Sequence, residues 1–286
     1  MPELPEVETV VRSLAKYLVD RVITGGTVLD GRIVAYPDDT GGFIDKVTRK
    51  RIDSIQRRGK YIILELSDPE SKQGEEEYEL VIHLRMSGKL LYQDKNVPIP
   101  AHTCVVFDLD DGCQLRFINI RKFGRMHLVK AGQRELAGGL ANLGVEPLSP
   151  DFQLQDFIRR LKERSARIKG LLLNQSFLAG MGNIYVDEAL FRAGIHPMRK
   201  ASGLSEAEIA RLFKAIRGVL QDGIEHRGTT RKDYVDADGQ AGDFQNYLQV
   251  YGREGERCKL CSTPIERIKV AGRSSFVCPA CQKFER

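Results

Sequence analysis

Four of the six cysteines form two C-x2-C pairs, Cys258/Cys261 and Cys278/Cys281, with sixteen residues between the pairs. Two turns of this kind can deliver four thiolates to one tetrahedral zinc. Four thiolates leave no open position for water or substrate. The single Zn2+ they imply is therefore structural, and it supplies folding energy to a tail too small to bury a core of its own. The competing reading, a disulfide pair, has no secretory signal behind it. The N-terminus is acidic where a signal peptide would be basic. No run of about 18 apolar residues suggests a membrane span. The expected setting is intracellular and cytoplasmic, without a membrane partner. Cys104 and Cys113 flank an Asp-Asp-Gly turn and read as buried thiols unrelated to the metal.

The other end of the chain carries a different chemistry. It opens MPELPEVETV, in which Pro5 already fills the ordinary role of proline at the start of a helix. If Met1 is removed, Pro2 becomes an N-terminal secondary amine. An α-amine has a pKa of roughly 7.7–8.0, so about one tenth is neutral and nucleophilic at pH 7. The positive end of the following helix pushes in the same direction. Such an amine can attack an electrophilic carbon and form an iminium, with Glu3 beside it as acid or base. On these residues alone, a helix start with no chemistry is by far the commoner meaning of a Pro-Glu opening.

Two further places could hold phosphate. LLLNQSFLAGMGNIYVDEALFRAGIHP (171–197) reads as helix, Gly-rich turn, helix, with Asn183 at the N-cap of the second helix. Free N–H groups at such an end bind phosphate, although a plain capped turn has the same pattern. IERIKVAGRSSF, between the cysteine pairs, reads as a hairpin with Arg273 at a Gly-containing turn, as a DNA contact or as a surface charge. The net charge is +5, but the basic residues are clustered. Seven Lys/Arg stand against two Glu in 257–286, six against one Glu in 157–170, and seven against one Asp in 46–60. Three such clusters fit a polyanion as partner. An acidic surface loop is expected at 67–79.

Apolar residues at helical spacing from Glu6 to Leu18 predict an amphipathic leading helix. From about 22 to 130, short β-branched runs alternate with turns: TVLDGRIVAY, YIILEL, YELVIHL, CVVFDL, QLRFINI and MHLV. Asp-Asp-Gly at 110–112 marks a hairpin, and strands of this kind predict a β-sandwich or barrel. A Gly- and Pro-rich boundary at 131–151 precedes helices at about 151–163, 167–178, 184–193 and 205–226. The stretch 227–247 has no periodicity and reads as a long loop, which in compact domains is often functional.

MPELPEVET, RRGK (57–60), HLRMSGKL (83–90), RKFG (121–124), GMGNIYVDEALFRAGIHP (180–197), LQVYGREGERC (248–258) and VAGRSSFVCPACQ together strongly resemble bacterial formamidopyrimidine-DNA glycosylase, from the first residue to the last. The resemblance implies an α+β multidomain protein: an N-terminal β-sandwich with a leading helix (1–132), a hinge (133–150), a helix–two-turn–helix domain (151–256) and a zinc-finger hairpin (257–286). It also implies a monomeric bifunctional glycosylase and AP lyase of base-excision repair, acting on duplex DNA that contains oxidised purines. By resemblance, Pro2 is the nucleophile at the sugar C1′ and Glu3 its acid/base. Lys60 assists β-elimination, and Arg273 grips the phosphate beside the lesion and is linked to δ-elimination. His102, Arg121, Arg164, Lys169 and Asn183 match DNA-contacting positions. Met86, Arg121 and Phe123 match a wedge that fills the space left by an everted nucleotide. The segment 228–239 matches the loop that closes over the everted base.

The chain departs from the family pattern in three places, one of them the acidic insert at 67–79, which is longer than usual. Asn119 stands where the family usually has Asp, and Ser274-Ser275 follow Arg273 where Gly or Ala and then Thr are commoner. Endonuclease VIII, the oxidised-pyrimidine enzyme, is the nearest alternative, but its start typically reads PEGPE. A non-catalytic zinc-ribbon protein that binds damaged DNA is a second. A metal-dependent nuclease is a third, since Asp108, Asp110 and Asp111 crowd one hairpin; turn formation accounts for them as well.

Overall fold

The computed structural model describes residues 1–70, 77–231 and 234–284. Two compact units are present: Met1–Asn142 with Arg227–Asp243, and Leu143–His226 with Phe244–Arg286. The acidic stretch expected at 67–79 and the loop at 228–239 each lie partly outside the described residues.

The first unit opens with helix α1 (Leu4–Leu18), which buries Leu4, Val7, Val10, Val11, Leu14 and Leu18 on one face. Strands β1 (Ile23–Val28) and β2 (Val34–Tyr36) follow, then helix α2 (Thr40–Val47) and strands β3 (Arg51–Arg58), β4 (Tyr61–Ser67), β5 (Tyr78–His83), β6 (Gly88–Asp94), β7 (Thr103–Leu109), β8 (Cys113–Asn119) and β9 (Arg125–Lys130). The strands form a four-stranded sheet, β1-β7-β8-β6, and a five-stranded sheet, β2-β9-β5-β4-β3. One apolar cluster joins them: Leu90, Phe107, Leu115 and Phe117 from the first sheet, Ile62, Leu64, Ile82 and Leu128 from the second, and Val7, Val10 and Leu14 from α1. This is the expected sandwich.

Several elements differ from the sequence reading. TVLDGRIVAY is two strands separated by a single 3-10 turn at Gly31–Ile33, which Asp30 caps by accepting the Arg32 N–H. The basic run 46–60 contains β3; its Ile52 and Ile55 are buried between flanking arginines at 51, 57 and 58, so charge masked a strand. Helix α2, strand β6 and the first part of β1 (23–26) were also missed. Asp39 starts α2 by accepting from the Gly41 and Gly42 N–H groups, so the two glycines belong to a capped turn. The Asp-Asp-Gly hairpin joins β7 to β8 as expected.

The second unit holds α3 (Leu154–Lys162), α4 (Ile168–Leu173), α5 (Asn183–Ala193) and α6 (Glu206–Glu225), then hairpin strands β10 (Glu266–Val270) and β11 (Arg273–Val277). Ser205 and Glu208 close a capping box at the start of α6. Helix α4 is shorter than the expected 167–178 because Asn174 ends it, its side chain accepting from the Ser176 N–H and hydroxyl. The N-cap of α5 is Gly182, and Asn183 is the first helical residue. The segment Arg227–Asp243 groups with the first unit: Ser13 Oγ accepts the Ala237 N–H, and Ala237 joins the sandwich core. Among the described residues no helix is long and apolar enough to cross a membrane.

Candidate functional site

Pro2 and Glu3 are buried at the head of α1, with Met1 half exposed before them. The helix starts on a capping box formed by Glu3 and Glu6, and Pro5 occupies its first turn. Glu6 does more than cap. Its Oε2 accepts the Glu3 N–H at 2.7 Å and its Oε1 accepts the Thr229 N–H at 2.7 Å. One buried carboxylate thus fixes the residue after Pro2 and the start of the 228–239 segment. Tyr234 reinforces the link by donating to the Glu6 carbonyl at 3.2 Å. Burial, then the nearby Glu6 charge, pushes the Tyr234 hydroxyl well above its ordinary range, so it stays a donor.

Lys60 is buried in the two-residue turn between β3 and β4, where Gly59 adopts φ 57°. The turn is tied to α1 through Arg57, which donates to Glu8 Oε2 at 2.7 Å and to the Gly59 carbonyl at 3.2 Å. Burial raises the Glu8 carboxyl, but hydrogen bonds from Arg57 and Arg12 outweigh it and hold the group below its ordinary range. His83, at the end of β5, meets Tyr61 edge to face at 4.6 Å. Burial first, then the charges of Arg85 and Lys60, pull its imidazole down to about 3. The Arg85 N–H donates to its Nδ1 at 3.0 Å, leaving the ring proton on Nε2. Held neutral, the ring adds no positive charge beside Lys60.

Met86, Arg121 and Phe123 lie in two turns that leave the same end of the β6–β8 pair, in which Gly88 faces Asn119. All three side chains are exposed, Met86 by 46% and Phe123 by 50%. Arg121 Nη1 lies 3.3 Å from Met86 Sδ, and its guanidinium sits 5.4 Å from the Phe123 ring centre. His102 is exposed in a left-handed conformation (φ 65°), and its carbonyl accepts the Asn119 N–H at 3.0 Å. Arg85 (φ 54°) and Lys122 (φ 55°), one in each of the turns carrying Met86 and Arg121, share that conformation, which is uncommon for residues other than glycine.

In the second unit Arg273 is exposed at the tip of the β10–β11 hairpin. Val270 pairs with Arg273 across Ala271 (φ 49°) and Gly272 (φ 73°), the two left-handed residues of a tight hairpin turn. Asn183 donates to the Ser274 carbonyl at 2.9 Å, and its buried Oδ1 has no partner. Lys169 is fully buried. Its ammonium donates to Asp187 Oδ1 at 2.7 Å and to the Ser274 carbonyl at 2.9 Å. Asp187 Oδ2 accepts the Phe276 N–H at 3.0 Å. Burial lifts the Asp187 carboxyl to about 7 against the pull of Lys169. Lys169 and Asn183 therefore both bear on the strand that follows Arg273, and Arg164 is exposed after α3.

The four cysteine sulfurs lie within 4.8 Å of one another. Cys258 and Cys281 are 3.9 Å apart, Cys261 and Cys278 3.4 Å, and Cys261 and Cys281 3.4 Å. A tetrahedral zinc with bonds of about 2.3 Å spaces its sulfurs by about 3.8 Å, so these residues fit the ion. Phe191, Val250, Ile265 and Phe276 pack around Cys258 and Cys278. One structural zinc held by these four thiolates would tie together the two ends of the β10–β11 hairpin.

Sequence reasoning missed Glu6, Ser87, Arg57 and His83. The Glu3/Glu6 spacing was a readable capping signal; the others depend on contacts between distant strands.

Three family models match in series: the formamidopyrimidine-DNA glycosylase N-terminal domain over residues 1–126, the formamidopyrimidine-DNA glycosylase H2TH domain over 143–234, and the zinc finger found in FPG and IleRS over 255–283. A formamidopyrimidine-DNA glycosylase from Pelotomaculum thermopropionicum is 48% identical over 285 residues, covering 100% of both chains. One from Desulforamulus reducens is 48% identical over 284 residues, covering 99% of each. Among solved structures, a Lactococcus lactis FPG mutant in complex with Fapy-dG containing DNA superposes with a TM-score of 0.89 at 37% identity, over 99% of this chain and 100% of that one. MutM in complex with carbocyclic 8-oxo-G containing DNA superposes with a TM-score of 0.88 at 37% identity, with the same coverage. The chain belongs to the formamidopyrimidine-DNA glycosylase family.

Proposed function

We propose that this chain excises oxidised purines, 8-oxoguanine and ring-opened purines, from duplex DNA and then cleaves the strand at the same site. The damaged DNAs held in the related structures support that substrate class. The observation that carries the reading is the buried Pro2–Glu3 head of α1, held by Glu6 and tied through Glu8 and Arg57 to the turn of Lys60.

Once Met1 is removed, the neutral amine of Pro2 attacks C1′ of the everted nucleotide. The C1′–base bond breaks, its electron pair leaves with the base, and the base takes up a proton. Glu3 protonates the ring oxygen as the sugar opens, and C1′ and the proline nitrogen form an iminium. Loss of a proton from C2′ then expels the 3′-phosphate, with Lys60 close by to offset its charge, and a second elimination expels the 5′-phosphate. Arg273 binds the phosphate beside the lesion, and His102, Arg121, Arg164 and Asn183 bind the backbone of the same duplex. Lys169 acts from beneath, through the Ser274 carbonyl. Met86, Arg121 and Phe123 occupy the space left by the everted nucleotide. The zinc orders the hairpin that presents Arg273.

Borohydride trapping tests this on a duplex with one 8-oxoguanine opposite cytosine, after mass spectrometry has verified a free Pro2. A covalent complex is expected, much slowed in Pro2→Gly. Trapping only on a thymine-glycol duplex would move the chain to oxidised pyrimidines. Tight binding with no trapping on either would make it a DNA-damage binder.

A further inference from the structure

We infer that Ser87 and Asn119 form a neutral clasp that positions the Met86/Arg121/Phe123 constellation, and that Ser87 is a positioning residue for entry into the duplex; the inference rests on the wedge role proposed above. Ser87 and Asn119 are almost completely buried, at 3% and 0% exposure, directly beneath the exposed side chains. The Ser87 hydroxyl donates to Asn119 Oδ1 at 3.1 Å and accepts the Arg121 backbone N–H at 3.0 Å. A single hydroxyl therefore joins the turn that carries Met86 to the turn that carries Arg121 and Phe123.

The surroundings leave this joint little freedom. A Cβ at Gly124 would come within 2.3 Å of Asn119 Nδ2 and 2.6 Å of the Phe117 ring, and one at Gly88 within 2.4 Å of the Leu84 carbonyl. Asn119 Nδ2 has no hydrogen-bond partner among the described residues. The asparagine thus leaves a buried donor unspent while its oxygen serves Ser87, a cost that a purely packing residue would not carry. Arg121 is oriented from its backbone, with its guanidinium left to Met86 and Phe123 and not engaged by a carboxylate. Side chains pre-ordered in this way lose less freedom when they enter a base stack.

Stopped-flow fluorescence of 2-aminopurine beside the 8-oxoguanine reads eversion, and single-turnover excision reads the chemistry that follows. Ser87→Ala removes both hydrogen bonds and should slow eversion about ten-fold, whereas Ser87→Thr, which keeps the hydroxyl, should stay within about two-fold. In an Arg121→Ala background, Ser87→Ala should add less than about two-fold, because residues acting through one another are not additive. A Ser87→Ala rate equal to wild type would overturn the inference, as would a full multiplicative loss in the Arg121→Ala background. If thermal unfolding shows that Ser87→Ala does not fold, Ser87→Cys keeps the volume while weakening both hydrogen bonds, and the same two results decide. Wild-type protein that traps no imine at 8-oxoguanine would refute the functional reading and take the clasp with it. An active wild type with an unaffected Ser87→Ala would overturn the clasp alone.

Discussion

Lys169→Met should weaken the β10–β11 hairpin strongly above neutral pH and much less in mild acid. The ammonium and the Asp187 carboxylate are both fully enclosed, and removing one partner of such a pair typically costs about 3–5 kcal/mol. A proton can replace the lysine. The folded carboxyl, lifted from 3.8 to about 7, is mostly protonated at pH 5.5 and ionised above neutrality, so the lysine faces a bare carboxylate only at the higher pH. The penalty should shrink accordingly. Lys169→Met/Asp187→Leu leaves no charge behind; it strands the Phe276 N–H, which costs about 1–3 kcal/mol, while Ser274 keeps its bond from Asn183. At pH 8.5 the double variant should therefore be more stable than the single one. Hydrogen exchange of peptides spanning 266–277, compared with wild type at each pH, reads the local free energy without requiring two-state unfolding of the whole chain. Equal losses at pH 5.5 and 8.5, or a double variant weaker than the single, would refute the ion-pair reasoning.

Zinc chelation should abolish protection of the 266–277 amides and weaken DNA binding, while amides of the sandwich core keep theirs; exchange mass spectrometry with and without chelator reads both. His83 has its folded pKa depressed from 6.5 to about 3, so its stabilising effect is complete above pH 6.5 and is lost as pH falls towards 3. His83→Asn, whose side-chain oxygen can take over the Arg85 N–H, should lose less stability than wild type between pH 6.5 and 4 in urea titrations. Glu6→Gln offers one oxygen to two N–H donors, so it should cost about 1–3 kcal/mol and slow imine trapping; unchanged trapping would mean that Glu3 does not need its cap for chemistry.

The sequence was most readable where chemistry and local geometry coincide. Cysteine spacing identified the metal site because four thiolates in two short turns have few other uses. The leading helix declared itself through apolar period and Pro5. Strand β3 stayed hidden because its arginines outweighed Ile52 and Ile55, and the first part of β1 because Gly25 and Gly26 interrupt the β-branched signal. Lys169 looked like one more member of a basic surface run; only packing reveals that it is enclosed and faces Asp187. The Ser87–Asn119 joint spans strands far apart in sequence, and neither residue type announces a partner. Residues whose work is to hold other residues are the ones a linear reading loses.

The sandwich is not contiguous in the chain: Arg227–Asp243 completes it after all of 143–226 has been made. Synthesis proceeds from Pro2 onward, yet the backbone that meets Glu6 at Thr229 and the core position Ala237 emerge late from the ribosome. A nascent chain that stops at Asn142 carries Pro2 and Glu3 without the Thr229 N–H that meets Glu6. The head of α1 therefore gains its finished setting only after most of the second unit has been made.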